Sequence, residues 1–475
     1  MPPIVQPAEV DSLRVRGVHV HECRIYKFTP SVPFQGHPES RVPPTHPTPT
    51  ATTTHQEQIA EVAMGRRFIL QGGDCAERFV DCTKDRIEAK LKIILQMSLV
   101  LVWGARVPLV RIGRIAGQYM KPRTKPKETV NGEEVFAYKG DSINSFDLSA
   151  RVPDPERLRQ AFYTSTATLN FVRGLLDSGF ADLHHPQTWD LSFVKCDSAR
   201  DRYAQLAEEI SNALEFMKAC GARDDPSMKG VQFFTSHEGL VLDFEEAVTQ
   251  EVAPQEQPPA ARPGSSAASL SPAPSNHYNL GAHFLWIGDR TRQLDGAHVE
   301  YFRGIANPMG IKVGPTTDPD ELVTLVKTVN PDNVPGRVTL ITRFGAAKVR
   351  EMLPRVLNKV SEAGLIVAWE CDPMHGNTFK SDNSGIKTRS FDDILKELLE
   401  TFDVHEECGT WLGGVHFEMT GDNVTECTGG ASGLDDKDLS TNYESFCDPR
   451  LNYHQSLEMA FLIAHRLKKI KSKRE

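Results

Sequence analysis

Eight short apolar runs recur along the chain, and each ends on or beside a polar or charged residue. They are 67–73 (RFILQGG), 107–114 (VPLVRIGR), 231–237 (VQFFTSH), 283–290 (HFLWIGDR), 309–315 (MGIKVGP), 337–345 (RVTLITRFG), 365–372 (LIVAWECD) and 413–420 (GGVHFEMT). Near-continuous apolar runs of this length predict strands covered on both faces, as in a parallel sheet. Helical periodicity separates most of them. Residues 85–102 place Ile87, Leu91, Ile94, Leu95 and Ser98 on one stripe. Leu457, Ala460, Phe461 and Ala464 do the same in a last helix whose basic end (Lys468, Lys469, Lys471) suits a helix C-terminus. Strands alternating with helices eight times predict an α/β fold, a (β/α)8 TIM barrel that carries its functional groups at the C-terminal strand ends. The second-to-third connection is about 115 residues long and predicts extra helices at 155–178 and 200–219. The fourth-to-fifth connection, 291–308, is short for a full helix.

Proline interrupts this pattern in two places. Seven of the 31 prolines fall within 30–55 and six within 252–276. Neither stretch has an apolar set to bury. The second reads as a disordered insert in a surface loop, which is tolerated because long loops add little closure entropy. The prediction is an irregular N-terminal segment over 1–57 and one catalytic barrel over 58–475.

Composition narrows the class. Of 475 residues, 39% are apolar and 25% charged, which excludes disorder throughout. The longest apolar stretch, 98–110, is broken by Gly104 and Arg106 and falls short of the roughly 20 residues that cross a bilayer. A net charge of -9 argues against a general nucleic-acid binder. Nine cysteines without a CxxC pair suit a reducing compartment. No secretory signal opens the chain. The expected location is the cytoplasm, or a plastid if a transit peptide is missing from this chain.

The strand ends hold the candidate chemistry. Cys75 follows the first strand, His375 the seventh, Glu418 ends the eighth, and Asp448 lies in the loop CDPRLN before the last helix. These mixed sulfur, nitrogen and oxygen donors suit a borderline divalent transition metal. Arg114, Arg290, Lys312 and Arg343 are cations with no obvious acidic partner nearby in the chain, which suits phosphate or carboxylate substrates. Each has a plainer alternative: a buried cysteine packs as a small hydrophobe, a histidine caps a turn, and a strand-end arginine pairs at the rim. Convergence of all eight on one mouth favours a metal-dependent barrel enzyme acting on a phosphorylated small molecule.

Longer motifs sharpen this. FILQGGDCAERF, RIGRIAGQYMKPRT, GDSINSF, FFTSHEGL, FLWIGDRTRQLDGAHVEYFRGIANPMGIKVGP, LITRFG, WECDPMHGNT, GGVHFEMTGDNVTECTGG and SFCDPRLN resemble the class II (plant-type) 3-deoxy-D-arabino-heptulosonate 7-phosphate (DAHP) synthases. The resemblance runs from about Gly65 to the C-terminus. It implies a metal-dependent transferase that condenses phosphoenolpyruvate with erythrose 4-phosphate, the first step of the shikimate pathway to chorismate and the aromatic amino acids. It implies a metal site at Cys75, His375, Glu418 and Asp448, with Mn2+ first and Co2+, Zn2+ or Fe2+ as alternatives. It implies a phosphoenolpyruvate site at Arg114, Asp289, Arg290, Lys312 and Arg343, and an erythrose 4-phosphate site at Lys121, Arg123 and Thr124 in KPRT. Lys312, Arg114 and Asp289 are the expected catalytic set. The family commonly has glutamate where Asp289 stands, so this chain departs from it there by one methylene. A homo-oligomer and a chorismate mutase partner are further implications.

The N-terminal region departs from the family. PPIVQPAEVDSLR and QIAEVAMGRRF (58–68) resemble it, whereas 15–55 has no recognised counterpart and reads as an insertion, either a translated non-coding segment or a lineage-specific loop. Cys447 adjoins Asp448, so it is expected near Cys75, where a disulfide between the two would expel the metal. Two other functions stay open on the sequence: a pyruvate-dependent metal aldolase, and an inactive regulatory barrel that binds a partner.

Overall fold

The computed structural model describes residues 13–15, 18–20, 49–123, 125–130, 132–177, 231–252 and 276–474, with scattered helical positions between 204 and 216. Eight parallel strands close into a barrel: β1 (Phe68–Gly73), β2 (Leu109–Arg114), β3 (Phe234–Glu238), β4 (Phe284–Ile287), β5 (Met309–Val313), β6 (Val338–Thr342), β7 (Ala368–Cys371) and β8 (Gly414–Glu418). Each lies on one of the eight apolar runs, and β8 returns to pair with β1. The TIM barrel is therefore the fold. The helices are α1 (Pro49–Ala63), α2 (Lys84–Ala105), α3 (Glu156–Asp177), α4 (Leu242–Ala247), α5 (Ala297–Gly304), α6 (Pro319–Val329), α7 (Val349–Glu362), α8 (Phe391–Glu407) and α9 (Tyr453–Arg474). The short fourth-to-fifth connection holds the eight-residue α5. Of the two extra helices expected after β2, α3 is present, and the other, 200–219, falls mostly outside the described residues. Among the described residues, no helix is long and apolar enough to cross a membrane.

Alternation along the strands sorts side chains into two cores. Phe68, Leu70, Leu285, Ile287, Ile311, Val313, Leu340, Val415 and Phe417 face the helices and join one large cluster with them. Gly104 lets α2 close on α9, since a Cβ there would stand 2.8 Å from that of Ala464. The inward-facing set is different. Ile69, Val110, Ile112, Phe234, Phe284, Trp286, Ile341 and Ala368 fill the lower barrel. Above them the same strands turn polar: Gln71, Arg114, Ser236, Lys312, Glu370, His416 and Glu418 are all buried.

Helix α1 closes the floor. Ile59 and Val62 pack into the lower core, and His55 stacks on Phe234 with ring centroids 4.0 Å apart. Thr52, His55, Gln58, Ile59 and Val62 are buried on one face at helical spacing. Gly336, at φ +76, takes a conformation that favours glycine and lets α1 approach; a Cβ there would strike the carbonyl oxygen of Gln56. The sequence pattern predicts an irregular stretch up to 57, with an insertion up to 55. The helix instead starts at Pro49, where proline suits the first turn. The threonines that follow are weak helix formers, so packing on the barrel floor decides their state. A short hairpin, Leu13–Val15 with Val18–Val20, also falls at the start of that segment. The proline-rich insert leaves between two paired strands, Thr249–Val252 and Asn276–Asn279, and 253–275 lie outside the described residues.

Candidate active site

The C-terminal ends of the strands surround a cavity of about 650 Å3. Arg114, Lys121, Arg123, Asp289, Arg290, Lys312, Arg343, His375 and Asp448 line it, together with Glu238, Trp286, Lys387 and Cys447. Nearly all the residues singled out in the sequence thus meet at one mouth, and Thr124 lies outside the described residues.

One side gathers soft and anionic donors. Cys75 Sγ and carboxylate oxygens of Glu418 and Asp448 lie within 4.8 Å of one another. The backbone N–H of Asp448 donates to Cys75 Sγ at 3.2 Å. His375 Nε2 lies 3.1 Å from Glu418 Oε1, and its Nδ1 lies 2.7 Å from Asp372 Oδ2. A carboxylate behind one ring nitrogen orients the other toward a metal. The Lys121 ammonium lies at the centre of this group, 2.7 Å from Cys75 Sγ, 2.9 Å from Asp448 Oδ2 and 3.4 Å from Glu418 Oε1. A positive charge is what these converging donors call for, and here a lysine stands in for it. The converging group, one sulfur and two carboxylates with the His375 imidazole beside Glu418, has the donor chemistry of a divalent-ion site. Lys121, expected at the erythrose 4-phosphate end, lies against Cys75, Glu418 and Asp448 in this candidate donor group.

Electrostatics follow from burial and from these charges. Burial alone would raise the pKa values of Glu418 and Asp448. His375, Lys121 and Arg389 overcome it at Glu418, and Lys121 and Arg389 do so at Asp448, so both carboxyls stay below the usual range. Burial pushes the Cys75 thiol up, reinforced by hydrogen bonding with Cys447 and opposed by Lys121. The two thiols are neighbours, as the adjacency of Cys447 to Asp448 implied, and both are free.

The opposite side gathers cations. Three of the four cations with no obvious acidic partner nearby in the chain meet one in the fold: Arg114 pairs with Glu418 (3.2 Å), Lys312 with Asp372, and Arg343 with Asp289 (3.0 Å). The sequence hid these partners because they lie on other strands, up to 304 residues away. Asp289 also accepts from Arg292 Nε at 3.2 Å, so it braces two guanidiniums. Burial lowers the Lys312 pKa, and Asp372 only partly restores it. Trp286 lies beneath, with its ring centroid 5.1 Å from the Arg114 guanidinium carbon and 5.8 Å from Lys312 Nζ.

Several residues of the site carried no sequence signal that was used. Glu238 lines the cavity, and burial raises its pKa against the pull of Lys121, Lys312, His375 and Arg114. It sits one residue past the end of the third apolar run, where the inward alternation of Phe234 and Ser236 would have pointed to it. Arg389 is fully buried on the hairpin after β7 and donates to Glu418 Oε2 at 2.8 Å. Asp372, in the quoted motif WECDPMHGNT, backs both Lys312 and His375.

The model of the class-II DAHP synthetase family matches residues 40–464. That match begins ahead of α1, inside the segment read as an insertion. A phospho-2-dehydro-3-deoxyheptonate aldolase of Neurospora crassa is 51% identical over 425 residues, covering 88% of this chain and 86% of that protein. Proteins of the same name from Streptomyces coelicolor and Mycolicibacterium smegmatis are each 48% identical, over 86% of this chain and 86% and 85% of their own lengths. Fold, site and relatives agree, and the chain belongs to the class-II DAHP synthetase family.

Proposed function

We propose that this protein is a DAHP synthase, condensing phosphoenolpyruvate, D-erythrose 4-phosphate and water to DAHP and phosphate. The observation that carries the reading is the meeting of two unlike sets in one cavity: the cations Arg114, Arg290, Lys312 and Arg343, and the donors Cys75, Glu418 and Asp448 beside His375. Two phosphates and a carboxylate need that many positive groups, whereas pyruvate would need fewer. An inactive barrel has no reason to bury so many charges at its mouth.

Arg114, Arg290, Lys312 and Arg343 hold phosphoenolpyruvate, and Asp289 keeps Arg343 in place. Arg123 and Thr124, with Lys121, take the phosphate of erythrose 4-phosphate. Carbon 3 of phosphoenolpyruvate attacks the aldehyde carbon, and water adds at carbon 2 and gives up both protons, one passing by way of Glu238 to the aldehyde oxygen and the other leaving with phosphate as its C–O bond to carbon 2 breaks. Glu238 is the carboxylate we assign to take the proton from that water, since its carboxylate has no ion pair among the described residues. Fixed cations supply orientation and charge stabilisation without reorganising during the reaction. Cys75, His375, Glu418 and Asp448 would hold a divalent metal, Mn2+ first, which when bound acts as a Lewis acid on a carbonyl oxygen. With Cys75, Glu418 and Asp448 committed to that ion, Lys121 would be free to face the phosphate. A homo-oligomer and a chorismate mutase partner rest on family membership alone.

The test is direct. Purified protein with Mn2+ and both substrates should release phosphate, and chelation should stop it until Mn2+ is restored. Failure to release phosphate with any of Mn2+, Co2+, Zn2+ or Fe2+ sinks the reading.

A further inference from the structure

Polar side chains occupy the middle of the barrel, where apolar packing would be cheaper. Four of them form a closed circuit. Arg114 Nη1 lies 2.6 Å from His416 Nε2. A guanidinium has only donors, so Nε2 must accept and the ring proton must sit on Nδ1. Nδ1 lies 2.6 Å from Gln71 Oε1 and donates to it. The Gln71 amide donates from Nε2 to Ser236 Oγ at 2.9 Å, and the Ser236 hydroxyl donates to the carbonyl of Gly113 at 3.1 Å. Gly113 precedes Arg114 on β2, so the circuit returns to the strand it left. Turning the Gln71 amide over would set two donors against each other at Nδ1, which leaves one direction for every bond. Gln71, Ser236 and His416 are fully buried and come from β1, β3 and β8.

The rest of the Arg114 side chain is also committed. Nε donates to the carbonyl of Asp74 at 3.0 Å, and Nη2 donates to the carbonyl of Cys75 and to Glu418 Oε1, each at 3.2 Å. Of its five N–H groups, one on Nη1 remains for a ligand. The residue therefore offers the cavity a single donor whose direction is set by His416.

We propose that His416, Gln71 and Ser236 are positioning residues for phosphoenolpyruvate, acting through Arg114. The circuit fixes the guanidinium plane before substrate arrives, so its loss weakens phosphoenolpyruvate binding and leaves erythrose 4-phosphate binding alone. This rests on the assignment of Arg114 to phosphoenolpyruvate made above.

Two substitutions separate the edges of the imidazole. His416→Asn keeps an amide near Nδ1 and removes the acceptor at Nε2, whereas His416→Gln reaches Nε2. His416→Asn is expected to raise KM for phosphoenolpyruvate about tenfold, with KM for erythrose 4-phosphate and metal content as in the wild type and a lowered Tm, since one buried Arg114 N–H loses its acceptor. His416→Gln should recover most of that loss. An unchanged KM for phosphoenolpyruvate, equal rises for both substrates, or no rescue by Gln overturns the proposal. Should His416→Asn fail to fold, Ser236→Ala decides: it removes one hydroxyl and should raise KM for phosphoenolpyruvate alone by about threefold, and an unchanged value overturns the proposal. A wild-type protein that releases no phosphate overturns the functional reading first, a result distinct from an active wild type with an unaffected variant.

Discussion

At the floor of the barrel, Ile59 and Val62 of α1 meet Ile69, Val110, Phe234 and Phe284 in an apolar plug. At the mouth, at the strand C-termini and in the loops beyond them, Arg114, Lys312, Glu418, Asp372 and Arg389 are buried with their charges paired. The floor is held by area removed from water, and the mouth by mutual charge compensation. The difference teaches where change is tolerated. A floor residue can be exchanged for another of like volume, because transfer and packing terms are graded. A mouth residue cannot be removed singly, because its partner then remains buried and uncompensated.

Four experiments sharpen that contrast. The largest effect is expected at Glu418, which accepts from Arg389 on one oxygen and faces Arg114, Lys121 and His375 with the other. Glu418→Ala should lower phosphate release by about a thousandfold or more. It should also lose roughly 3–5 kcal/mol of stability in denaturant unfolding, because Arg389 is left without its carboxylate. Unchanged stability would show that the mouth does not depend on compensation.

On the floor, Ile59→Ala should cost roughly 2–5 kcal/mol by removing a buried side chain. Both KM values should stay as in the wild type when assayed below the lowered Tm. A change in KM for phosphoenolpyruvate would mean that floor and mouth are coupled.

A third experiment uses pH. His405, buried at the floor end of α8 beside Trp369, has its pKa pushed down to about 3 by burial. Unfolded, it protonates near 6.5. Between those values the unfolded chain holds the extra proton, so this contribution is complete above about pH 6.5 and falls with pH, by about 1.4 kcal/mol per unit. Unfolding free energy measured at pH 6.5 and 5 should show roughly 2 kcal/mol less of this loss in His405→Gln. The same loss in both proteins refutes the assignment.

The smallest effect belongs to Asp289. Asp289→Glu restores the residue the family commonly carries and keeps a carboxylate for Arg343 and Arg292. KM for phosphoenolpyruvate should move by no more than about threefold. A larger change would make the length of this side chain a determinant of the site.

The sequence was most legible where one strand carries its own signal. All eight strands lie on the apolar runs, and α2, α3 and α9 lie on the periodic stretches. The candidate donors Cys75, Glu418 and Asp448 were legible because each stands at a strand end or in a long motif. Helix α1 was not, because proline and threonine between 49 and 54 resemble a linker and only the barrel floor makes them helical. Asp372 with Lys312, Asp289 with Arg343, and Arg389 with Glu418 were not legible as pairs, since each joins separate strands or loops.

What the sequence by itself determined is the order of strands and helices, the barrel they imply, the family, and the residue types at the strand ends. Local patterning suffices for these because burial on two faces and helical periodicity are properties of single segments. What only the tertiary structure decided is the pairing: which acid compensates which cation, which nitrogen of His416 holds its proton, and that Lys121 stands among Cys75, Glu418 and Asp448. Those depend on distances of a few ångströms between residues as much as 373 positions apart, which no local pattern records.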